Sequence, residues 1–356
     1  MKTSQKVIWK LVILLCLIVL PACQFRAQRN QKPTPSPAPE PASASPAVPS
    51  PTTLAPSEPA AVPLSFVTGR NDYVITVDDT ERKFIVYVPG GYDPGRPTPV
   101  VMMFHGSNQS GTAMYEKTNW AARAEQENFI VVFPTSWKYF LTSSNRIEGK
   151  WNDMVMEVTE PTIEFKDDVH FTKVILERLK ASFNVDENRI FASGFSNGAF
   201  FVVSRLLVQM NDVFAAFATA GMGPSASKGH EQIVIPDTVN ASLYKMFGTQ
   251  EALPAELMGL TLPFPFEAEE IVSDPNFSPM LVQTTTMLGL DMAYTVQSYP
   301  NFTKLTFNQS LVGADNEFIF QMVRGMSHVY PDGNNNLARL DATVLFWEFF
   351  MRHSKP

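Results

Sequence analysis

Cysteine is nearly missing from this chain: its 356 residues include two, Cys16 and Cys23, both near the N-terminus. The rest of the chain can therefore hold neither a disulfide nor a cysteine-ligated metal, and its stability must come from packing. Histidine is scarce too, at five residues. No H-E-x-x-H pattern and no closely spaced histidines occur, so a metalloenzyme is disfavoured and no metal or other cofactor is expected. Positive charge is in deficit, with 28 Lys and Arg against 35 Asp and Glu for a net charge of -7. Without a basic stripe to follow a phosphate backbone, nucleic acid is not an expected partner. Long apolar runs are also wanting, because Leu11 to Leu20 is short for a spanning helix. No internal repeat is visible. What is present is 45% apolar residues, enough to bury a sizeable core.

The first segment is a targeting device. Lys2, Lys6 and Lys10 precede the apolar run, which has the size of a signal-peptide core, so residues 1–23 read as export rather than fold. The run ends in Leu20-Pro21-Ala22-Cys23, which resembles the lipobox of bacterial lipoproteins. That resemblance implies lipidation of Cys23 and attachment to the outer face of the cell membrane. Pro21 departs from the usual small or aliphatic residue, and the alternative is an ordinary signal peptide with an incidental cysteine. Residues 24–63 form a linker that from Gln31 onward is almost entirely Pro, Ala, Ser and Thr. Such a composition cannot offset its ordering entropy by burial, and an extended stalk on the order of 100 Å is expected. The folded domain is placed at 64–356.

In that domain, short apolar runs alternate with helical patterns. Lys83 to Val88, Val100 to Phe104, Phe129 to Phe133 and Arg189 to Ala192 read as strands, the second apolar enough to be covered on both faces. Between the last two, Phe171, Val174, Ile175, Leu179 and Phe183 recur at helical spacing. The alternation predicts an α/β architecture, a mostly parallel central sheet with helices on both faces, whose chemistry lies at the carboxyl ends of the strands.

At the end of one such strand stands Gly194-Phe195-Ser196-Asn197-Gly198, followed by a helical run from Ala199 to Met210. This is the G-x-S-x-G elbow in its required context of strand, sharp turn and helix, and it nominates Ser196 as a nucleophile. A serine hydroxyl needs a base within hydrogen-bond reach. His328 lies in a Gly- and Pro-flanked loop between strand-like Phe318 to Val323 and the last helix, and it follows the serine in the order this elbow demands. His105, His170, His230 and His353 fit less well, and His105 reads as a structural brace. The triad acid should follow a strand between the two, and Leu243 to Phe247 leads into Gly248-Thr249-Gln250-Glu251. Glu251 is therefore the expected acid, with Asp291 and Asp315 as competitors. The oxyanion hole is expected from the backbone N–H groups of Asn197 and, in the loop after the Val100 strand, Ser107.

These motifs together resemble the polyhydroxybutyrate depolymerase and feruloyl esterase group. They are Arg82-x-Phe84-x-Val86-Tyr87-Val88-Pro89, His105-Gly106, Asp167-Asp168-Val169, Asp186 to Ile190, the elbow, and Trp347 to Phe350. The resemblance covers about Arg82 to Arg352 and implies an α/β-hydrolase fold with a Ser-Asp-His triad, acting on ester bonds of polymers or of plant cell-wall acyl groups. Three departures stand out. The group's Gly-Thr-x-Asp ends here in Glu251, its Gly-His-x-Trp-Pro reads Ser327-His328-Val329-Tyr330-Pro331, and its Ser-Asn-Gly-Gly ends in Ala199. Tyr330 is expected to keep an aromatic wall beside the histidine. The aperiodic, Pro-rich segment from Pro254 to Pro279 is read as an apolar excursion over the active-site mouth, or else as a packed surface loop, and Trp137 and Trp151 as neighbours of the same cleft.

The expected activity is carboxylic ester hydrolysis through an acyl-enzyme. Its rivals are a surface binding module on a weakened hydrolase scaffold, motivated by the glutamate and the stalk, and a secreted serine peptidase using the same triad.

Overall fold

The computed structural model describes residues 62–224 and 239–355. The signal segment, Cys23, nearly all of the linker and His230 lie outside the described residues. The strands are β1 (Gly69–Val77), β2 (Thr80–Val88), β3 (Thr98–Phe104), β4 (Ile130–Pro134), β5 (Trp137–Leu141), β6 (Arg146–Lys150), β7 (Val185–Phe195), β8 (Ala216–Ala220), β9 (Ser242–Gln250), β10 (Thr295–Tyr299), β11 (Phe302–Phe307) and β12 (Phe318–Ser327). The helices are α1 (Gly111–Lys117), α2 (Trp120–Glu127), α3 (Val155–Thr159), α4 (Asp168–Ser182), α5 (Asn197–Phe201), α6 (Leu207–Gln209), α7 (Ala252–Met258), α8 (Ala268–Ser273), α9 (Phe277–Met287) and α10 (Ala342–Phe350). A π-helical turn, Val202–Leu206, joins α5 to α6.

Ten strands form one sheet in the order β1-β2-β4-β3-β7-β8-β9-β12-β11-β10, and β5 and β6 form a separate hairpin. The six central strands, from β4 to β12, pair in parallel, while β1 and β2 at one edge and β10 and β11 at the other run antiparallel to their neighbours. A strand buried on both faces needs no alternation, and Val100 to Phe104 has none. Val100, Met102 and Phe104 join one core with α4, α5, α6, α8 and α9, whereas Val101 and Met103 join the other with α1, α2 and α10. The sheet is thus covered on both sides, as its apolar strands require.

The antiparallel edges look different in the sequence. Every residue of β10 is exposed, and β1 alternates or is only half-covered along much of its length. Their place is set by pairing with better-buried strands rather than by their own apolar content. Among the described residues no helix is long and apolar enough to cross a membrane.

Candidate active site

Three loops at the carboxyl ends of β7, β9 and β12 carry Ser196, Glu251 and His328. Ser196 occupies the turn between β7 and α5 with φ 53° and ψ -121°, a strained conformation for a residue with a Cβ. The turn closes only because its glycines are small. A Cβ on Gly194 would lie 2.5 Å from the Gly198 carbonyl oxygen, and one on Gly198 would lie 2.3 Å from that of Phe104. The elbow pattern is therefore steric in origin: each glycine admits a backbone that a side chain would exclude.

The imidazole of His328 bridges the other two. Its Nε2 lies 3.0 Å from Ser196 Oγ, and its Nδ1 lies 3.0 Å from Glu251 Oε2. Glu251 is fully buried, and its second oxygen accepts the Gly248 N–H at 2.8 Å, which fixes the plane of the carboxylate. His328 reaches this position through an irregularity in β12, whose register against β9 shifts between Val323 and Ser327. The displaced backbone presses the Met326 carbonyl so close to Gly248 that a Cβ there would sit 2.1 Å away, and Thr249 Oγ1 accepts the Gly325 N–H at 2.8 Å. Gly248 and Thr249 thus lock the loop that carries Glu251 to the loop that carries His328. Asp291 instead accepts the N–H of Ala293, Asp315 is exposed, and neither hydrogen bonds to His328.

A Cβ on Gly106 would lie 3.1 Å from Ser196 Cβ, which places the loop after β3 directly beside the elbow. Among the described residues the N–H groups of Ser107 and Asn197 donate no hydrogen bond, so both are available to an incoming oxygen. His105 is buried beneath this loop. Its Nδ1–H donates to the Gly106 carbonyl at 2.7 Å, and its Nε2 accepts the Ser136 N–H at 2.9 Å. Burial pulls its pKa down to about 4, so it stays neutral as a brace. Of the other histidines, His170 pairs with exposed Asp78 and His353 with Glu317, both apart from this arrangement. Among the described residues no cluster of three His, Cys, Asp or Glu could hold a metal ion.

Residues 93–260 match the Phospholipase/Carboxylesterase family. An acetyl xylan esterase from Aspergillus awamori superposes with a TM-score of 0.51 at 15% identity, over 79% of this chain and 99% of that one. An S-formylglutathione hydrolase from Agrobacterium tumefaciens gives 0.51 at 13% identity, over 82% and 98%. The fold is an α/β-hydrolase.

In sequence this α/β-hydrolase is 27% identical over 157 residues to a bifunctional acetylxylan esterase/xylanase of Neocallimastix patriciarum, covering 43% of this chain and 20% of the other. It is 26% identical over 140 residues to a poly(3-hydroxyalkanoate) depolymerase of Paucimonas lemoignei, covering 39% and 30%. The chain thus spans less than a third of the length of either relative. The resemblance drawn from the motifs agrees with these matches.

Three expectations about the pocket need correction. Tyr330 is not a wall of the cleft, since it lies under the elbow, where Trp120 Nε1 donates to its hydroxyl at 2.8 Å and its ring meets Phe195 edge-on. Trp151 is likewise core, packed between Phe104 and Phe201 with its Nε1 donating to the His105 carbonyl at 2.9 Å, whereas Trp137 is half-buried on the β5–β6 hairpin, whose Gly149 bonds Asn108 in the loop after β3. In the Pro254 to Pro279 segment, Phe264, Phe266 and Phe277 are buried, and Phe277 stacks edge-on against Phe247 and Phe320 of the central sheet. Only the aliphatic Leu257 of that segment is a strongly exposed large apolar residue. The prolines hide a periodicity that belongs to the core.

Sequence reasoning passed over Asn152 and Asp153, which follow Trp151 after β6. Asn197 Oδ1 accepts the Trp151 N–H at 2.7 Å, and Asn197 Nδ2 donates to Asp153 Oδ2 at 2.8 Å. Burial pushes the Asp153 carboxyl up, against the pull of the donors from Met156 and Asn197. No local pattern marks it in the sequence, because Asn197 and Asp153 stand 44 residues apart.

Proposed function

We propose that the domain hydrolyses carboxylic esters through an acyl-enzyme intermediate, with Ser196 as nucleophile, His328 as general base and Glu251 as the acid that orients it. The observation that carries this reading is the unbroken chain of contacts from Ser196 Oγ through His328 to Glu251. In the first half-reaction Ser196 Oγ attacks the ester carbonyl while His328 Nε2 takes its proton, and the same proton then passes to the departing alcohol. In the second half-reaction His328 takes a proton from water as the water attacks the acyl carbonyl, then returns it to Ser196 Oγ as the acyl-enzyme bond breaks and the acid departs. The amides of Ser107 and Asn197 hold the oxyanion formed in each half. Glu251 stabilises the imidazolium from a dry site, where a charge interaction is worth more than in water.

The relatives named for acetyl xylan and poly(3-hydroxyalkanoate) favour an acyl ester of a polymer as substrate. The N-terminal pattern favours export and attachment through Cys23 to the outer face of the membrane. The deciding experiment compares Ser196→Ala with the wild-type protein on a small chromogenic ester. The variant should lose turnover and fluorophosphonate labelling while keeping its circular dichroism spectrum, and turnover that survives in it overturns the mechanism. A panel of acetyl, feruloyl and hydroxybutyrate esters then ranks the acyl groups.

A further inference from the structure

Asn197 holds more than one part of the hole. Its backbone N–H is one of the two free donors beside Ser196, while its side chain, buried with the rest of the residue, points away and grips the segment after β6 by three hydrogen bonds. Its Oδ1 accepts the Trp151 N–H at 2.7 Å, and its Nδ2 donates to the Trp151 carbonyl at 3.2 Å and to Asp153 Oδ2 at 2.8 Å. The same segment grips the other donor loop. Trp151 Nε1 donates to the His105 carbonyl at 2.9 Å, and Gly149, in β6 just before the segment, exchanges bonds of 2.8 and 3.0 Å with Asn108.

The segment is in turn held from behind. Asp153 Oδ1 accepts the Met156 N–H at 3.1 Å, its carbonyl accepts from Ser204 Oγ at 2.8 Å, and Met154 is forced to a φ of 63°. A non-glycine residue in that region persists only where its surroundings dictate it. Next to it, the Asn152 N–H donates to Asp168 Oδ2 at 2.8 Å, and Asp168 is paired with buried Arg82 at 2.5 Å.

We propose that Asp153 is a positioning residue of the oxyanion hole, acting through the Asn197 side chain to aim the Asn197 backbone N–H. The proposal rests on the ester-hydrolase reading above. Preorganised donors act only when they are held where the oxyanion forms, so a loosened Asn197 weakens binding of the transition state and leaves the ground state almost untouched.

Asp153→Asn keeps the shape and exchanges one acceptor oxygen for a donor group, which opposes a donor on either side. With active sites titrated, kcat should fall about ten- to hundredfold and KM should stay within about threefold. The affinity for a phenylboronate, which forms a tetrahedral adduct at a catalytic serine, should fall by the same factor as kcat, a change that a loss of stability alone would not produce. Asn197→Ala should match these losses, and the double variant should be no worse than either single variant. Wild-type kcat and boronate affinity in folded Asp153→Asn overturn the proposal, and so do losses that multiply in the double variant. If Asp153→Asn does not fold, Asn197→Ala cuts the clamp from its other end, and wild-type kcat there overturns it equally. Ser196→Ala separates the two levels: an inactive Ser196→Ala beside an unaffected Asp153→Asn defeats the clamp alone, whereas turnover in Ser196→Ala defeats the underlying reading.

Discussion

The carboxylate of Glu251 faces two donors at once, His328 Nδ1 at 3.0 Å and the Gly248 N–H at 2.8 Å, and none of its side chain reaches solvent. Because the Gly248 N–H can only donate, it holds one oxygen in place and leaves the other for the imidazole. This arrangement makes the extra methylene of glutamate workable where an aspartate might be expected, since β9 ends and α7 begins around Glu251 itself.

Glu251→Gln tests the electrostatic part of that role. The glutamine oxygen should keep the Gly248 bond, which turns its NH2 group toward His328 and stabilises the tautomer with its proton on Nε2, facing Ser196. A base already carrying a proton cannot accept one, and kcat should drop by about 10³- to 10⁴-fold without loss of fold. Glu251→Asp keeps the charge but shortens the reach by one methylene, and a smaller loss, about 10- to 100-fold, is expected. Steady-state kinetics on a chromogenic ester check both, and equal activity of Glu251→Gln and the wild-type protein would remove Glu251 from the mechanism.

The parts of this arrangement legible in the sequence were those with strong local causes. The Gly194 to Gly198 elbow announces itself because both glycines are demanded sterically, and β3 and β4 announce themselves because strands covered on two faces must be apolar throughout. His328 and Glu251 were found by chain order and loop position, which are topological constraints. By contrast, the interlock of Gly248 with the Met326 carbonyl and the brace of Asn197 on Asp153 join residues far apart in the chain, and no periodicity marks such pairs. Phe277 is obscured for a different reason: prolines crowd the stretch before it, and two of the positions on the buried face of its helix, with Phe277, Met280 and Leu281, are the polar Thr284 and Thr285. Edge strands β1 and β10 take their structure from their partners and carry little signal of their own.

Lys245 presents a separate consequence of burial. It lies in β9 at the centre of the sheet, 2% exposed, with the Thr284 hydroxyl at 3.3 Å as its hydrogen-bond partner and, among the described residues, no carboxylate paired with it. Across the ladder from it, the Thr219 hydroxyl is buried without a partner. Desolvation lowers the Lys245 pKa from 10.5 to about 7. The unfolded chain therefore binds a proton that the folded chain gives up, so stability rises with pH between these two values, and the penalty is full below the lower one. Lys245→Met removes the penalty with a side chain of similar length. At neutral pH it should stabilise the protein by on the order of 3–5 kcal/mol, at about 1.4 kcal/mol per pKa unit, with the gain shrinking as pH approaches 10.5. Urea denaturation of both proteins across that range checks it, and a pH-independent difference would show that Lys245 keeps its charge when folded.

The corrected reading of the Pro254 to Pro279 segment separates two residues that the sequence alone places together. Phe277 is 1% exposed and contacts rings from β9 and β12 at centroid distances of 5.8 Å, whereas Leu257 on α7 is 77% exposed. Truncating a buried phenylalanine loses its transfer free energy and leaves a cavity that the stiff sheet beneath it cannot close. Phe277→Ala should therefore cost about 3–5 kcal/mol of stability. An exposed leucine has little burial to lose, and Leu257→Ala should change stability by less than about 0.5 kcal/mol. For a flap over the mouth the order would be reversed in kinetics, because removing an aromatic wall weakens substrate binding while the core stays intact. Chemical denaturation combined with KM per titrated site distinguishes the two: a large stability loss at unchanged KM places Phe277 in the core, and a raised KM with unchanged stability would return it to the mouth.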